Sequence, residues 1–309
     1  MNTIKYPKAL EKGDLIALVS PSSPCREAAV VDKCADFLIE HGYRVKVHES
    51  CYAQYGYLSG NDEIRAQGIN SAFADKNVDA VFCIRGGYGT PRIVDMIDYD
   101  LIAANPKIFC GYSDITGLHI PINQKSGLVT FHAPMLSTCI INGFDTYAEE
   151  NFNRILRDPC HTGALINPVG ADTTFLSEGK AEGMLIGGNL SLITALSGSR
   201  YALEPEGKII FIEDIDEGVY RIDRMLTNLR LCGVFDKCAG VVFGAFTDCE
   251  EDKDHPMSVL DVIKDVVLPC GKPVMFGLSA GHITKNMSLP LGARAALDSA
   301  RGTLEILPI

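Results

Sequence analysis

The 309-residue chain has no tryptophan, and none of its 11 cysteines form a CxxC pair. Without that spacing, neither a zinc ribbon nor a thioredoxin-type redox motif is visible. The cysteines are odd in number and scattered from Cys25 to Cys270, which indicates buried free thiols in a reducing compartment. Basic residues are also scarce. The 28 Lys and Arg face 39 Asp and Glu, and the net charge of −11 argues against nucleic acid or anionic lipid as a partner.

Long apolar stretches are absent as well. No uninterrupted apolar run approaches the roughly 18 residues of a membrane-spanning helix, and residues 1–7 do not resemble the apolar core of a signal peptide. We therefore expect a cytoplasmic protein that does not bind membranes. With 47% hydrophobic and 22% charged residues, the chain has a globular composition, long enough for one large or two ordinary domains.

Short β-branched runs alternate with amphipathic segments in the first half of the chain. The predicted strands there are Leu15–Val19, Val45–His48, Ala80–Ile84 and Lys107–Cys110, and the predicted helices are Ala28–His41 and Asn61–Ala74, the latter capped by Asn61. This alternation predicts an α/β fold with a parallel sheet covered on both faces. Further on, Gly187-Gly188-Asn189 is expected to open a helix over Leu190–Leu196, and strands are predicted at Lys208–Ile212, Ala239–Phe243 and Val274–Phe276.

The turn Gly111-Tyr112-Ser113-Asp114 follows one of these strands and leads into a predicted helix. A serine at such a sharp turn presents its hydroxyl beside N–H groups that can hold an oxyanion, as an acyl-transfer nucleophile requires. The pattern is not the GxSxG of α/β-hydrolases. The alternative is a helix N-cap, the commonest role of a serine at this position.

A serine nucleophile needs a base and a group that orients the base. His282, flanked by small residues after a predicted strand, and His132 are the candidate bases, against the alternative of a structural histidine. Glu213-Asp214 directly follows four apolar strand residues, where an acid must be paired. Glu217 is a second candidate for the orienting group, and helix capping or an ion pair with a nearby arginine is the alternative role of Glu213-Asp214.

A glycine-rich turn, Arg85-Gly86-Gly87-Tyr88-Gly89, follows another predicted strand. Its spacing is neither GxGxxG nor GxxxxGK[ST], although a phosphate site remains an alternative. A backbone N–H of Gly86 or Gly87 could equally serve an oxyanion. Because the carboxyl ends of parallel strands share one edge, we expect this turn, residues 20–24 and the Ser113 turn to form one site.

Several motifs occur in one order along nearly the whole chain. They are Ser20–Pro24, Arg85–Gly89, Asp98–Ile102, Gly111–Thr116, His132–Met135, Gly187–Leu190, Glu213-Asp214, Tyr220–Leu226, Gly281-His282 and Leu289–Gly292. Together they resemble the LD-carboxypeptidase family of serine peptidases, which also contains the microcin C self-immunity peptidases.

The resemblance implies a Ser-His-Glu triad made of Ser113, His282 and Glu213. It also implies an N-terminal parallel-sheet α/β domain (1–160), a linker (161–180) and a C-terminal α/β domain with a β-barrel-like part (181–309). The site would lie in the cleft between the domains, and the protein would be a homodimer. No metal or cofactor is implied.

The implied reaction is hydrolysis of the bond between an L-centre and the C-terminal D-alanine of a murein tetrapeptide, in cell-wall recycling. The N–H groups of Asp114 and of Gly86 or Gly87 would form the oxyanion hole, and Arg85 and Asn189 are candidate substrate-binding residues. One alternative is a microcin-immunity-type peptidase acting on aminoacyl nucleotides. In such peptidases an aromatic side chain from a loop, a tryptophan in the known cases, stacks on the nucleobase. Tyr or Phe would have to replace it here. The other is a non-catalytic protein that binds peptidoglycan fragments.

Overall fold

The computed structural model describes residues 3–249 and 256–309. In chain order, the strands are β1 (Leu15–Val19), β2 (Arg44–Val47), β3 (Ala80–Cys83), β4 (Ile108–Gly111), β5 (Thr130–His132), β6 (Gly163–Ala164), β7 (Thr174–Ser177), β8 (Lys180–Asn189), β9 (Ile209–Ile215), β10 (Gly240–Thr247), β11 (Val274–Phe276), β12 (Leu289–Leu291), β13 (Arg294–Asp298) and β14 (Thr303–Ile306). The α-helices are α1 (Ala28–Glu40), α2 (Asp62–Ala74), α3 (Tyr99–Ala104), α4 (Thr116–Pro121), α5 (Thr146–Arg157), α6 (Leu190–Ala195), α7 (Val219–Leu231), α8 (Val234–Lys237) and α9 (Val259–Val266).

The chain folds as two compact units. Unit 1 comprises residues up to Cys160 together with Ser288–Gly292, and unit 2 comprises His161–Met287 and Ala293–Ile309. Both units mix helices and strands, which confirms the predicted α/β class. Strands β6 and β7 lie within residues 161–180, the segment interpreted above as a linker.

Unit 1 contains a six-stranded sheet in the order β12-β5-β4-β3-β1-β2. Strands β1 to β5 run parallel, as predicted for the first half of the chain, and β12 pairs antiparallel with β5 at the edge. Strands β1, β3 and β4 are almost fully buried, so they read as continuous apolar runs. This order brings the ends of β1, β3 and β4 side by side at one edge.

Unit 2 contains an eight-stranded sheet in the order β6-β14-β13-β8-β9-β10-β11-β7. Strands β8 to β11 run parallel and the flanking strands are antiparallel. The helix predicted over Leu190–Leu196 is observed as α6, and the glycines before it, Gly187 and Gly188, belong to the end of β8, a strand that was not predicted. A Cβ at Gly187 would lie 2.0 Å from the Phe211 carbonyl oxygen, so the two strands need glycine there. The helix begins after Asn189, whose side chain caps it.

Helix boundaries follow their local signals where those signals are strong. Asn61 caps α2, as predicted, by accepting a hydrogen bond from the Ile64 N–H.

All 11 cysteines lie in the described part of the chain as free thiols, of which five are buried and Cys232 is exposed. No helix among the described residues is both long and apolar enough to span a bilayer.

Candidate active site

Ser113 lies at a sharp turn between β4 and α4, and its backbone has a φ of +63°. A non-glycine residue rarely adopts this left-handed conformation, and its strain is typical of functional turns. The N-cap positions of the following 3₁₀ turn and of α4 belong to Tyr112 and Ile115 rather than to Ser113. The N-cap alternative for Ser113 is therefore wrong, and its half-buried hydroxyl is presented by the turn.

The backbone of Gly86 passes directly beside this hydroxyl. A Cβ built on Gly86 would lie 3.1 Å from Cβ and 3.3 Å from Oγ of Ser113. Gly87, with a φ of +108°, lies instead against Ser23. A Cβ built on Gly87 would lie 2.6 Å from the Cβ of Ser23. The glycine-rich turn thus brings main chain, rather than side chain, to the serine.

Asp114 connects the turn to two other loops through its buried carboxylate. Its Oδ2 accepts a 2.6 Å hydrogen bond from the Ser22 hydroxyl and a 2.9 Å bond from the Thr90 N–H. The Thr90 hydroxyl donates in turn to the Asp114 carbonyl oxygen. Burial raises the pKa of this carboxyl, although the hydrogen bonds from Ser22 and Thr90 oppose that effect. Residues 22, 90 and 114 are therefore held together next to the Ser113 turn.

Arg65 links two of the same loops through hydrogen bonds to their main-chain carbonyl groups. Its side chain is fully buried, and Nη1 donates to the carbonyl oxygens of Pro21 and Gly89, at 2.5 and 2.9 Å. Nη2 pairs with Asp62. The sequence analysis did not identify Arg65, yet a signal existed. Arg65 lies four residues before Ile69 on the buried face of α2, and a cation on such a face needs several acceptors.

Glu213 and His282 meet within unit 2. His282 Nδ1 lies 2.7 Å from Oε2 of Glu213, whose side chain is fully buried on β9. Burial raises the pKa of Glu213, and the histidine partner opposes this. With Nδ1–H donating to the carboxylate, the neutral ring carries its lone pair on Nε2. This is the geometry of a base with its orienting acid.

Glycine again permits the close approach. Gly281 has a φ of +122°, and a Cβ there would lie 2.7 Å from Oε2 of Glu213. The His282 carbonyl oxygen accepts a 2.8 Å hydrogen bond from the Thr247 hydroxyl, and the Gly281 N–H donates to Asn286 at 3.0 Å. The main chain of the histidine loop is therefore fixed by the side chains of Thr247 and Asn286.

The neighbouring acids have other partners. Asp214 accepts hydrogen bonds from Asn189 Nδ2 at 2.8 Å and from the Ser191 N–H and hydroxyl at 3.0 and 2.8 Å. Glu217 forms a 3.4 Å ion pair with Arg221. Asn189 thus holds Asp214 and caps α6, and its contact with substrate stays a prediction.

The remaining histidines differ from His282 in their surroundings. His119 is fully buried, with Nδ1 2.8 Å from the Thr130 hydroxyl and Nε2 2.9 Å from the Gly111 carbonyl, and burial lowers its pKa to about 4. His132 is buried on β5, and its ring packs against that of Tyr112 at an interplanar angle of 68°. His41 and His161 are exposed, and His48 caps a short turn. His255 lies outside the described residues.

No group of three or more His, Cys, Asp or Glu side chains suited to a metal ion occurs among residues 3–249 and 256–309.

Comparison with known proteins decides the family. Residues 16–133 match the LD-carboxypeptidase N-terminal domain, and residues 182–297 match the LD-carboxypeptidase C-terminal domain. The chain belongs to the LD-carboxypeptidase family. It is accordingly a hydrolase of the serine carboxypeptidase type.

Individual LD-carboxypeptidase relatives cover almost the whole chain. A probable murein peptide carboxypeptidase of Bacillus subtilis is 40% identical over 303 residues, covering 97% of this chain and 93% of the relative. The structure of MccF in complex with glutamyl sulfamoyl guanosine has a TM-score of 0.88 at 27% identity, with 98% of each chain covered. A muramoyltetrapeptide carboxypeptidase from Oxalobacter formigenes has a TM-score of 0.82 at 27% identity, covering 94% of this chain and 97% of the other.

Proposed function

We propose that this protein hydrolyses the amide bond between an L-centre and the C-terminal D-alanine of murein tetrapeptides, as part of cell-wall recycling. The observation that carries the proposal is the strained turn at Ser113, with the main chain of Gly86 against its hydroxyl. A serine held in this way suits nucleophilic attack on a carbonyl beside an oxyanion hole. The relative at 40% identity, a probable murein peptide carboxypeptidase, supports the substrate class.

Ser113, His282 and Glu213 act together in this mechanism. Ser113 Oγ attacks the scissile carbonyl carbon while His282 Nε2 takes its proton, and the buried Glu213 carboxylate stabilises the resulting imidazolium through Nδ1. The tetrahedral intermediate collapses, the C–N bond breaks, and His282 gives the proton to the departing D-alanine nitrogen. A water molecule then hydrolyses the acyl-enzyme by the same steps.

Backbone N–H groups hold the negative oxygen of the tetrahedral intermediate. We assign this role to the N–H of Asp114 and to the Gly86–Gly87 segment, because the first follows the nucleophile and the second lies beside it. Losing one such donor costs about 10²- to 10³-fold in rate. The Asp114 side chain is a positioning group, since it fixes the turn through Ser22 and Thr90.

The chemistry uses only these side chains and water, so the proposed enzyme needs no metal or organic cofactor. We further propose that it works in the cytoplasm, as a homodimer, on a peptide substrate. Size measurement by light scattering tests the dimer, and fractionation of the producing cells tests the location.

Mass spectrometry of the protein incubated with a murein tetrapeptide tests the reaction. We expect the wild type to remove one D-alanine and the Ser113→Ala variant, compared at equal concentration and folded content, to remove none. Tetrapeptide binding without turnover by the wild type would instead support a non-catalytic binding protein. A Ser113→Ala variant that keeps most of the wild-type rate would reject the nucleophile.

One observation favours a second candidate, a peptidase of aminoacyl nucleotides. The chain superposes on MccF bound to glutamyl sulfamoyl guanosine with a TM-score of 0.88. The chain has no tryptophan to stack on a base, which favours the murein peptide. Hydrolysis of an aminoacyl nucleotide amide without hydrolysis of tetrapeptide would reverse this preference.

A further inference from the structure

Unit 1 contains two clefts of similar size whose linings differ in charge. The first, of about 420 Å³, is lined by Cys25, Arg26, Lys33, Arg85, Ser137 and Asn142, among others, and is called the basic cleft below. The second, of about 390 Å³, is lined by Lys8, Lys76 and Lys107 but also by Glu11, Asp14 and Asp79, and is called the mixed cleft below. The basic cleft has three cations and no acid in its lining, in a chain with a net charge of −11.

The two clefts lie at opposite edges of the sheet. Asp14, Asp79 and Lys107 directly precede β1, β3 and β4, so the mixed cleft is at the amino ends of the strands. Cys25 and Arg85 follow β1 and β3, which puts the basic cleft at the carboxyl ends. In open α/β sheets, ligands bind at the carboxyl edge.

No described acid forms an ion pair with the cations of the basic cleft. Among the residues that the structure describes, Arg26, Lys33 and Arg85 have no ion-pair partner, whereas Lys46 and Lys180 do. The acids next to them in sequence, such as Glu27 and Asp32, do not line the cleft. Burial raises the pKa of the Cys25 thiol, so this group stays neutral and adds no negative charge.

One lining residue of the basic cleft is the chain neighbour of the segment that approaches Ser113. Arg85 directly precedes Gly86, whose backbone lies against the Ser113 hydroxyl. The cleft wall beside Arg85 is fixed, because Ser137 donates to the Ile84 carbonyl oxygen through both its hydroxyl, at 2.7 Å, and its N–H, at 3.2 Å. Arg85 therefore joins the lining of the cleft to the residue that lies against the Ser113 hydroxyl.

We propose that the basic cleft binds the C-terminal carboxylate of the peptide substrate, with Arg85 as its direct partner. This inference rests on the proposed function, because a carboxypeptidase cleaves one residue before a free carboxylate. The planar guanidinium can form two parallel hydrogen bonds with a carboxylate. Arg26 and Lys33, which are exposed, contribute attraction over a longer range. The cleft would thus restrict the enzyme to chain ends.

The test compares a tetrapeptide ending in D-alanine with the same peptide ending in D-alaninamide. We expect the wild type to prefer the acid, and Arg85→Gln to raise KM for the acid by about 10- to 100-fold with little change in kcat. The amide should be cleaved equally by both proteins. Arg85→Lys keeps the charge but not the planar pair of hydrogen-bond donors, so its KM for the acid should lie between those of the wild type and Arg85→Gln. Arg26→Gln and Lys33→Gln should each raise KM by about 2- to 5-fold.

Lys76→Gln, in the mixed cleft, is the matched control and should leave both peptides unaffected. An acid-to-amide preference that Arg85→Gln leaves unchanged would overturn the subsite while the proposed function stands. If the wild type cleaves neither peptide, the proposed function fails. Binding of N-acetyl-D-alanine, measured by ligand-observed NMR, then decides the subsite. The subsite is supported if binding is lost both when the ligand is N-acetyl-D-alaninamide and when the protein is Arg85→Gln. It is overturned if neither change affects binding.

Discussion

Ser113 in unit 1 is positioned by its own backbone, whereas His282 in unit 2 is positioned by a side chain. The serine has a φ of +63°, and main chain from Gly86 approaches it. The histidine follows Gly281 and is oriented by the buried carboxylate of Glu213 at 2.7 Å. In one region the cost is conformational strain, and in the other it is the desolvation of a charge.

The two regions therefore lose folding stability for different physical reasons. A strained turn loses stability at all pH values, because no proton is involved. A buried carboxyl with a raised pKa loses stability only where it is ionised, since the native state then binds protons more readily than the unfolded chain. Mutations at the two regions should therefore differ in the pH dependence of their effects on stability.

Replacing Ser113 should have the largest effect on activity. Ser113→Ala and Ser113→Gly should both lower kcat by about 10⁴- to 10⁶-fold, because the nucleophile is gone. Ser113→Gly should nevertheless be more stable than Ser113→Ala by about 1 kcal/mol, since glycine adopts a positive φ without strain. Urea denaturation at several pH values measures this.

Ser71 in α2 is the matched control for the strained serine. It is exposed and helical, so Ser71→Gly should be less stable than Ser71→Ala by about 1 kcal/mol, the opposite sign. Equal signs at the two positions would show that Ser113 carries no strain.

Glu213→Gln should lower kcat on the order of 10⁴-fold, because the imidazolium loses its counter-charge. The same variant should be more stable than the wild type at neutral pH. The pKa of Glu213 is raised by burial, so its ionisation costs stability as pH rises above the ordinary glutamate range. Steady-state kinetics and denaturation between pH 4 and 8 test both effects. The reference is the ordinary glutamate pKa of about 4.3 in the unfolded chain.

Asp214→Asn provides the contrast at the next position. This carboxylate accepts hydrogen bonds from Asn189, Ser191 and the Ile215 N–H, so its loss should destabilise the protein by about 1–3 kcal/mol. A destabilised Glu213→Gln protein would contradict the idea that Glu213 is held at a cost.

Gly86→Ala should have a smaller, mainly kinetic effect. The new methyl would lie 3.1 Å from Ser113 Cβ and 3.2 Å from Met135 Cε, so the serine must shift by a few tenths of an ångström. We expect kcat to fall by about 10- to 100-fold. Gly56→Ala, where a Cβ meets nothing within 4 Å but φ is +60°, should lower stability and leave kcat unchanged.

The smallest expected effect on activity concerns His119, which supports the end of β4 and takes no part in the proposed mechanism. Burial lowers its pKa to about 4 from 6.5, so the unfolded chain binds the proton first as pH falls. This stability is complete above pH 6.5 and is lost between 6.5 and about 4, by roughly 3 kcal/mol in total. His119→Gln should flatten that dependence in pH-resolved denaturation, and the exposed His41→Gln should not.

Local patterns predicted much of unit 1. Strand β1 has the predicted bounds, the parallel order was expected from the β-branched runs, and Asn61 caps α2 as predicted. Strand β8 was missed because its glycines have low β-propensity, and only the pairing with β9 makes them suitable. Strand β12 is three residues long and contains Pro290, which indicates a strand only once β5 is beside it.

The site divides in the same way. The Ser113 turn was evident because its chemistry lies within four consecutive residues. The tie from Asp114 to Ser22 spans 92 positions, and the contacts of Arg65 with Pro21 and Gly89 span 44 and 24. Such contacts depend on which strands become neighbours, and no local pattern carries that information. The local pattern did not separate Glu213 from Glu217, whereas the family resemblance chose Glu213; in the structure Glu213 contacts His282 and Glu217 contacts Arg221.

Strand β12 has a consequence for how the protein is made. Leu289 and Leu291 are fully buried beside β5, so the sheet of unit 1 is finished by residues that are synthesised only after His161–Met287 of unit 2. Until then the nascent chain holds β5 as an open strand edge, which can pair with another polypeptide. Translation must therefore pass Leu291 before the unit that carries Ser113 can close, and a chain interrupted earlier is a candidate for aggregation rather than a smaller enzyme.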